Sequence, residues 1–198
     1  MGVINFKPKK SYRYYVAYGS NLNVGQMKYR CPDAVPIGTA WIDGYALMYK
    51  GSKTGAYLTI EKKENSRVPV VIWKVSATDE KSLDRYEGYP TFYYKKELPK
   101  LRVTFFKSDK KKGFKPCKYN VRNLDCFVYI MHEDHAFGIP TQTYIDTCEA
   151  GYKIFGFDTS ILDEALSYTA DNISESRYTG YVETLTEEQY YRLMGVYV

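Results

Sequence analysis

An α+β fold built on a mostly antiparallel or closed sheet is the class this sequence predicts. Two observations carry that prediction. Runs rich in aromatic and β-branched residues follow one another through most of the chain, whereas amphipathic helical patterns cluster late, and that order does not build alternating βαβ units. No regular repeat runs through the 198 residues, and no clear linker divides them; residues 171–176 (DNISES) form the best internal boundary.

The elements follow in chain order. Residues 1–11 read as a polar lead-in, and Tyr12–Tyr18 (YRYYVAY) reads as a strand broken by Gly19-Ser20-Asn21. Asn23–Arg30 forms a short helix that stops at Cys31, because the residue before Pro32 avoids the α region. Four short strands are then predicted, at Val35–Trp41, Tyr45–Tyr49, Ala56–Ile60 and Val68–Val75. A helix capped by Thr78 follows, with Asp79 and Glu80 in its first turn, where carboxylates are favoured, and Leu83 and Tyr86 on one face. It ends near Gly88, with Pro90 just beyond. Tyr93–Glu97, Leu101–Lys107 and Tyr119–Met131 read as strands around a polar excursion. In Thr141–Phe155, residues Tyr144, Ile145, Cys148, Tyr152 and Phe155 recur at three- and four-residue steps, which is a helical stripe. Asp158–Tyr168 is a second late helix, and Thr186–Met194 a third, with Thr186 as its cap.

The composition is that of an ordinary globular domain, with 44% hydrophobic and 26% charged residues. Tyrosine is abundant, at 22 residues, and it covers apolar area while keeping one polar tip, which suits a sheet-rich core with a polar-lined cavity; a compositional habit of the host genome explains the count equally well. The net charge of +5 is local: between Lys95 and Lys118 there are ten basic residues and two acidic ones, so the rest of the chain is near neutral or acidic. Cys31, Cys117, Cys126 and Cys148 show neither a C-x-x-C pair nor zinc spacing, and they read as reduced thiols of a cytoplasmic protein. The first residues carry no apolar run of signal-peptide length, and no stretch is apolar for membrane-spanning length.

Four segments resemble those of the γ-glutamyl cyclotransferase family, including its AIG2-like members. The first is Tyr15-Val16-Ala17-Tyr18-Gly19-Ser20-Asn21-Leu22, similar to the family's opening motif. The second is Leu83-Asp84-Arg85-Tyr86-Glu87-Gly88-Tyr89-Pro90 with Tyr93 after it, similar to its Leu-Asp-x-x-Glu-Gly segment. Val128-Tyr129-Ile130-Met131 resembles its late central strand, and Pro140 through Gly151 its Pro-x-x-x-Tyr helix. They occur in family order over residues 13–156. The resemblance implies a small, mostly antiparallel β-barrel flanked by helices, with a cavity at one mouth. On that frame, residues 12–156 form the domain with a basic hairpin insertion near 107–118, and residues 157–198 form a helical C-terminal extension packed on it. The oligomeric state stays open.

The resemblance also implies a reaction that needs no cofactor and no metal: release of 5-oxoproline and a free amine from a small γ-glutamyl amine or peptide. The substrate brings its own nucleophile, the α-amino group, so intramolecular attack already supplies much of the positional entropy. The protein must take a proton from the α-ammonium, stabilise an oxyanion and return a proton to the leaving amine. Glu87 matches the family's catalytic glutamate. Desolvated among Tyr86, Tyr89, Phe92, Tyr93 and Tyr94, it would hold a raised pKa fit for acid/base work near neutrality. Without the resemblance it reads as a surface glutamate at a helix end. Gly19, Ser20, Asn21 and Leu22 form the implied substrate cradle, with backbone N–H groups at a helix start able to hold an anion. The plain alternative is a strand-to-helix turn with Ser20 or Asn21 as N-cap. Tyr18 and Tyr93 are candidate substrate hydrogen-bonders, or core tyrosines.

Other constellations fail. Ser20 lies in Y-G-S-N and not in a nucleophile elbow, and the histidines of His132-Glu133-Asp134-His135 are three apart, not four, so that segment reads as a solvated polar loop. Lys107, Lys110, Lys111, Lys112, Lys115 and Lys118 lie near Phe105, Phe106, Phe114 and Tyr119, a pattern that can bind single-stranded nucleic acid but more commonly forms a solvated hairpin tip. Two rival readings therefore accompany the enzyme: a non-catalytic binding protein on the same fold, which retention of Glu87 argues against, and a polyanion-binding module using the Lys-rich hairpin.

Overall fold

A computed structural model of the chain describes residues 11–52, 55–107 and 113–173. The predicted helix at Thr186–Met194, most of the lead-in and the tip of the basic hairpin, Lys110–Lys112 included, lie outside the described residues.

The described chain runs β1 (Tyr12–Ala17), a 3-10 turn (Ser20–Leu22), α1 (Val24–Arg30), β2 (Val35–Ser52), β3 (Gly55–Ser76), α2 (Ala77–Tyr86), β4 (Tyr93–Phe106), β5 (Pro116–Met131), α3 (Gln142–Phe155) and α4 (Ser160–Asn172). The sheet order is β1-β3-β2-β4-β5, and β5 returns to β1, so the fold is α+β around a sheet closed on itself. Four of its neighbouring pairs are antiparallel; the closing pair is parallel and short, Tyr15 with Phe127 and Val16 with Val128. The seam between β2 and β4 is equally short, Gly38 with Phe105 and Thr39 with Thr104. Two long hairpins, β2–β3 and β4–β5, supply most of the ladder.

Here the strands differ from the sequence expectation. The four short strands between Val35 and Val75 are two long ones, and the two after Tyr93 are one. Gly44 (φ 74) and Lys100 (φ 55) lie where pairing shifts register, at Asp43/Tyr45 and Leu98/Leu101. These irregularities bend a strand without ending it, so punctuation that reads as strand ends is bulge chemistry. The core shows why alternation was weak: Tyr15 to Ala17 on β1, Val68 to Trp73 on β3 and Cys126 to Met131 on β5 are buried in succession. One face of each points into the barrel and the other is covered, so both must be apolar.

The start of α2 also differs. Ser76, not Thr78, is its N-cap, in a reciprocal capping box with Asp79: the Asp79 N–H donates to Ser76 Oγ (3.2 Å) and the Ser76 N–H to Asp79 Oδ2 (3.0 Å). Ser76 also pairs with Tyr12 across β1–β3, so the strand passes straight into the helix. Asp79 Oδ1 accepts from the Asp33 N–H (3.3 Å), tying the loop after α1 to the start of α2. A charge cluster seats the rest of α2. Lys95 Nζ on β4 lies 2.7 Å from both Glu80 and Asp84, Arg13 on β1 lies 2.7 Å from Glu80, and the Tyr129 hydroxyl donates to Asp84 (2.7 Å). Lys95, Glu80 and Asp84 are largely shielded, which makes this a stronger anchor than a surface pair.

α3 starts at the Thr141 cap and buries the predicted stripe from Ile145 to Phe155. α4 begins at Ser160, two residues later than expected, and lies against β2, where the Tyr49 N–H donates to Thr169 Oγ1 (2.9 Å). All four cysteines are free thiols.

Candidate active site

The site is built where β1 ends. The chain leaves the barrel at Ala17 and turns through Gly19 into the single 3-10 turn Ser20–Leu22. The turn's own hydrogen bonds use the N–H groups of Leu22, to Gly19 O (2.9 Å), and Asn23, to Ser20 O (3.0 Å). The N–H groups of Ser20 and Asn21 come first in the turn and have no partner within it. Neither Ser20 nor Asn21 is an N-cap; Asn23 caps α1 by accepting from the Gln26 N–H (3.1 Å). α3 presses the turn against the barrel. A Cβ on Gly151 would stand 2.5 Å from Leu22 Cβ and 2.8 Å from the Leu22 carbonyl carbon, so only glycine admits this approach.

Glu87 arrives from the other side. It is the C-cap residue of α2, with its N–H on Leu83 O (2.8 Å), and Gly88 (φ 63) then reverses the chain in the left-handed conformation that favours glycine. Its carboxylate meets the turn: Asn21 Nδ2 donates to Glu87 Oε1 (2.8 Å) and to the Tyr15 hydroxyl (2.9 Å). Arg30 completes the group. Its Nη1 donates to Asn21 Oδ1 (2.6 Å), and its guanidinium stacks 3.6 Å from the centre of the Tyr86 ring. With its oxygen held by Arg30, Asn21 can turn only its NH2 toward Glu87.

As a residue, Glu87 is partly exposed because it lines an open cleft, yet its carboxyl end is densely surrounded. Burial dominates and pushes its pKa from the ordinary 4.5 up to about 7, against the lowering effects of the Arg30 charge and the Asn21 and Tyr15 hydrogen bonds. The negative end of the α2 dipole disfavours the anion as well.

The cleft around Glu87 is lined by Tyr15, Tyr18, Gly19, Ser20, Asn21, Leu58, Tyr93, Tyr129 and Tyr144, and is narrow. It opens outward into a pocket of about 720 Å³ that shares Ser20, Glu87, Tyr93 and Tyr144 and adds Tyr57, Arg85, Tyr86, Gly88, Phe92 and His135.

Of the residues picked from the sequence, Glu87, Tyr18, Gly19, Ser20, Asn21 and Tyr93 are thus brought together, and Leu22 is not. Its side chain is wholly buried under the turn, against Gly151. Tyr18 and Tyr93 line the cleft but spend their protons on the barrel: the Tyr18 hydroxyl donates to Tyr129 O (2.7 Å) and the Tyr93 hydroxyl to Leu58 O (3.0 Å). Each keeps acceptor capacity toward the cleft. The His132–His135 loop, read as solvated, lies at the outer rim, with His135 edge-on to Phe92 at 4.7 Å. Sequence reasoning missed Tyr15, Arg30, Tyr129 and Tyr144 as site residues. Tyr144 carried two signals, a buried helical stripe and the tyrosine of the Pro-x-x-x-Tyr resemblance at Pro140–Tyr144, but was not singled out as a site residue; nothing in the spacing of Arg30 distinguishes it from a charged residue ending a short helix.

A sequence profile described as gamma-glutamyl cyclotransferase, AIG2-like, matches residues 15–146, which hold all of β1 through β5 except the first three residues of β1. The chain belongs to that family. Among solved structures it is similar to a gamma-glutamyl cyclotransferase at 23% identity, covering 93% of this chain and 99% of the other with a TM-score of 0.61. It is also similar to an uncharacterised human protein (23% identity, 92% and 98% covered, TM-score 0.56) and to YkqA from Bacillus subtilis (16% identity, 83% and 56% covered, TM-score 0.58). These likenesses are of fold. No curated protein matches the sequence. Among the described residues, no helix is long and apolar enough to cross a membrane.

Proposed function

We propose that this protein is a γ-glutamyl cyclotransferase that releases 5-oxoproline and a free amine from a γ-glutamyl amine or peptide, with Glu87 as general acid and base. The observation that carries this reading is one carboxylate with a pKa of about 7, held by Asn21 at the floor of a polar cleft beside the 3-10 turn.

A base with a pKa near 7 is well matched to an α-ammonium group, whose ordinary value lies near 8. The Glu87 carboxylate takes a proton from the α-ammonium, and the freed amine attacks the γ-carbonyl carbon. The new C–N bond closes a five-membered ring and leaves charge on the former carbonyl oxygen. The N–H groups of Ser20 and Asn21, which have no partner within the turn, are the candidates to stabilise it. The Glu87 carboxyl then gives its proton to the leaving nitrogen as the original amide C–N bond breaks, and the second proton of the ring nitrogen passes to the released amine, which departs as an ammonium ion. The Tyr18 and Tyr93 hydroxyl oxygens, their protons committed elsewhere, are acceptors suited to the α-ammonium.

The test is mass-spectrometric detection of 5-oxoproline after incubation with a panel of γ-glutamyl amides, for wild type beside Glu87→Gln. Gln keeps the shape and the acceptor for Asn21 but cannot cycle a proton. The rate is expected to fall by about 100-fold or more. A Glu87→Gln protein working near the wild-type rate would sink the mechanism.

A further inference from the structure

This inference rests on the cyclotransferase reading and concerns what that reading leaves open, the leaving amine. The cleft holds the glutamyl half, and the outer pocket, continuous with it through Ser20, Glu87, Tyr93 and Tyr144, is where the other half must project. Its wall is aromatic: Tyr57, Tyr86 and Phe92 line it. Those rings are mutually braced, Tyr57 edge-on to Tyr144 at 5.2 Å, Phe92 edge-on to Tyr93 at 5.1 Å and Tyr86 under Arg30.

The charges in the pocket are uneven. Among the described residues that line it, Glu87 is the one acidic group, and it is reserved for proton transfer. Arg85 lines the pocket from the last turn of α2, is exposed, and has no ion-pair partner among the described residues. The other acidic residues of α2 that could have faced it, Glu80 and Asp84, are held by Lys95. A leaving amine carrying a second positive charge would find Arg85 and no free carboxylate; one carrying a carboxylate would find a planar guanidinium with open donors.

We propose that Arg85 is a specificity-determining residue, and that the outer pocket selects leaving amines that combine an aromatic or large apolar body with a free carboxylate. Arg85 pairs with the carboxylate, and Tyr57, Tyr86 and Phe92 cover the apolar body. Arg85 takes no part in proton transfer.

The experiment compares kcat/KM for γ-glutamyl-phenylalanine, the same compound with its carboxylate amidated, γ-glutamyl-alanine and γ-glutamyl-putrescine, in wild type, Arg85→Ala and Arg85→Lys. Wild type is expected to favour the free acid over the amide by about tenfold, mainly through KM, since a charge-assisted pair at an exposed mouth is worth about that ratio. Arg85→Ala should erase the preference by lowering kcat/KM for the free acid to about that of the amide, and Arg85→Lys should retain part of it. The alanine and putrescine compounds should be poorer than the phenylalanine one. Equal rates for acid and amide, an acid-to-amide ratio unchanged in Arg85→Ala, or preference for the putrescine compound would overturn the proposal and leave the cyclotransferase reading standing. Failure of folded wild type to release 5-oxoproline from any of the four would overturn both.

Discussion

Replacing Glu87 by Gln should make the protein more stable, and increasingly so as pH rises. In the folded state the carboxyl keeps its proton up to about pH 7, whereas in the unfolded chain it loses it near its ordinary value of 4.5. Between those values unfolding releases a proton, so raising the pH favours the unfolded state. The contribution of the buried neutral acid is complete below pH 4.5 and is lost as pH climbs through 7. At about 1.4 kcal/mol for each pH unit between the two values, the full loss is about 3 kcal/mol, and the part falling between pH 5 and 8.5 is about 2 to 3 kcal/mol. Gln does not titrate, and every other titrating group is common to both proteins. The difference in unfolding free energy between Glu87→Gln and wild type, from urea denaturation at pH 5 and at pH 8.5, should therefore widen by about 2 kcal/mol in favour of the variant. A constant offset from altered hydrogen bonding cancels in that comparison. A gap that stays the same at both pH values, or narrows as pH rises, would refute the reasoning that burial governs this carboxyl.

For the enzyme itself, kcat/KM should rise with pH through about 7, as Glu87 ionises, to a plateau that ends at about 8, where the substrate α-ammonium loses its proton. Arg30 holds the Glu87 pKa down, so Arg30→Met should move that rise to higher pH and lower the plateau, since Asn21 loses the donor that orients its amide; a pH–rate profile that stays in place would exclude this role. Gly151→Ala would drive a methyl group into Leu22, and should cost about 1–3 kcal/mol in thermal or urea unfolding while lowering activity more than an overpacked site remote from the cleft would. Unchanged stability there would mean that the turn can yield.

The readable part of this fold lay in features that are local along the chain. The stripe in Thr141–Phe155, the short helix ending before Pro32 and the strand before Gly19 depend on neighbours a few residues away, and they stand where the pattern puts them. The joining of strands across Gly44 and Lys100 was illegible because a bulge and a strand end use the same residues, and only the partner strand distinguishes them. Ser76 was passed over as a cap because it is simultaneously the last strand residue. In the site, Glu87 and the turn after Tyr18 were found through motif resemblance, while Arg30 lay outside every motif and Tyr15, inside the first, was not singled out. Their roles arise from α1 and β1 meeting α2 in space, 66 residues separating Asn21 from Glu87. Leu22 was drawn in by lying next to the cradle in sequence, but its side chain is packed under the turn against Gly151 of α3.

The two halves of the site come from different kinds of chain. The inner cleft is hung on barrel strands, and its tyrosines double as crossbars: Tyr18 braces β5 at Tyr129, Tyr93 braces β3 at Leu58, and Tyr152 of α3 donates to Tyr18 O. The outer pocket takes Tyr57 of β3 and Tyr93 of β4 from the barrel ladder, but the rest of its frame, the end of α2, the segment through Phe92 and the loop at His135, carries none of that ladder. On the proposed reading the leaving amine meets that frame, whereas the Glu87–Asn21 pair is held from β1, the 3-10 turn and α1 through Tyr15, Asn21 and Arg30. A designer seeking a new leaving group would have a rim to rewrite and a floor to leave alone.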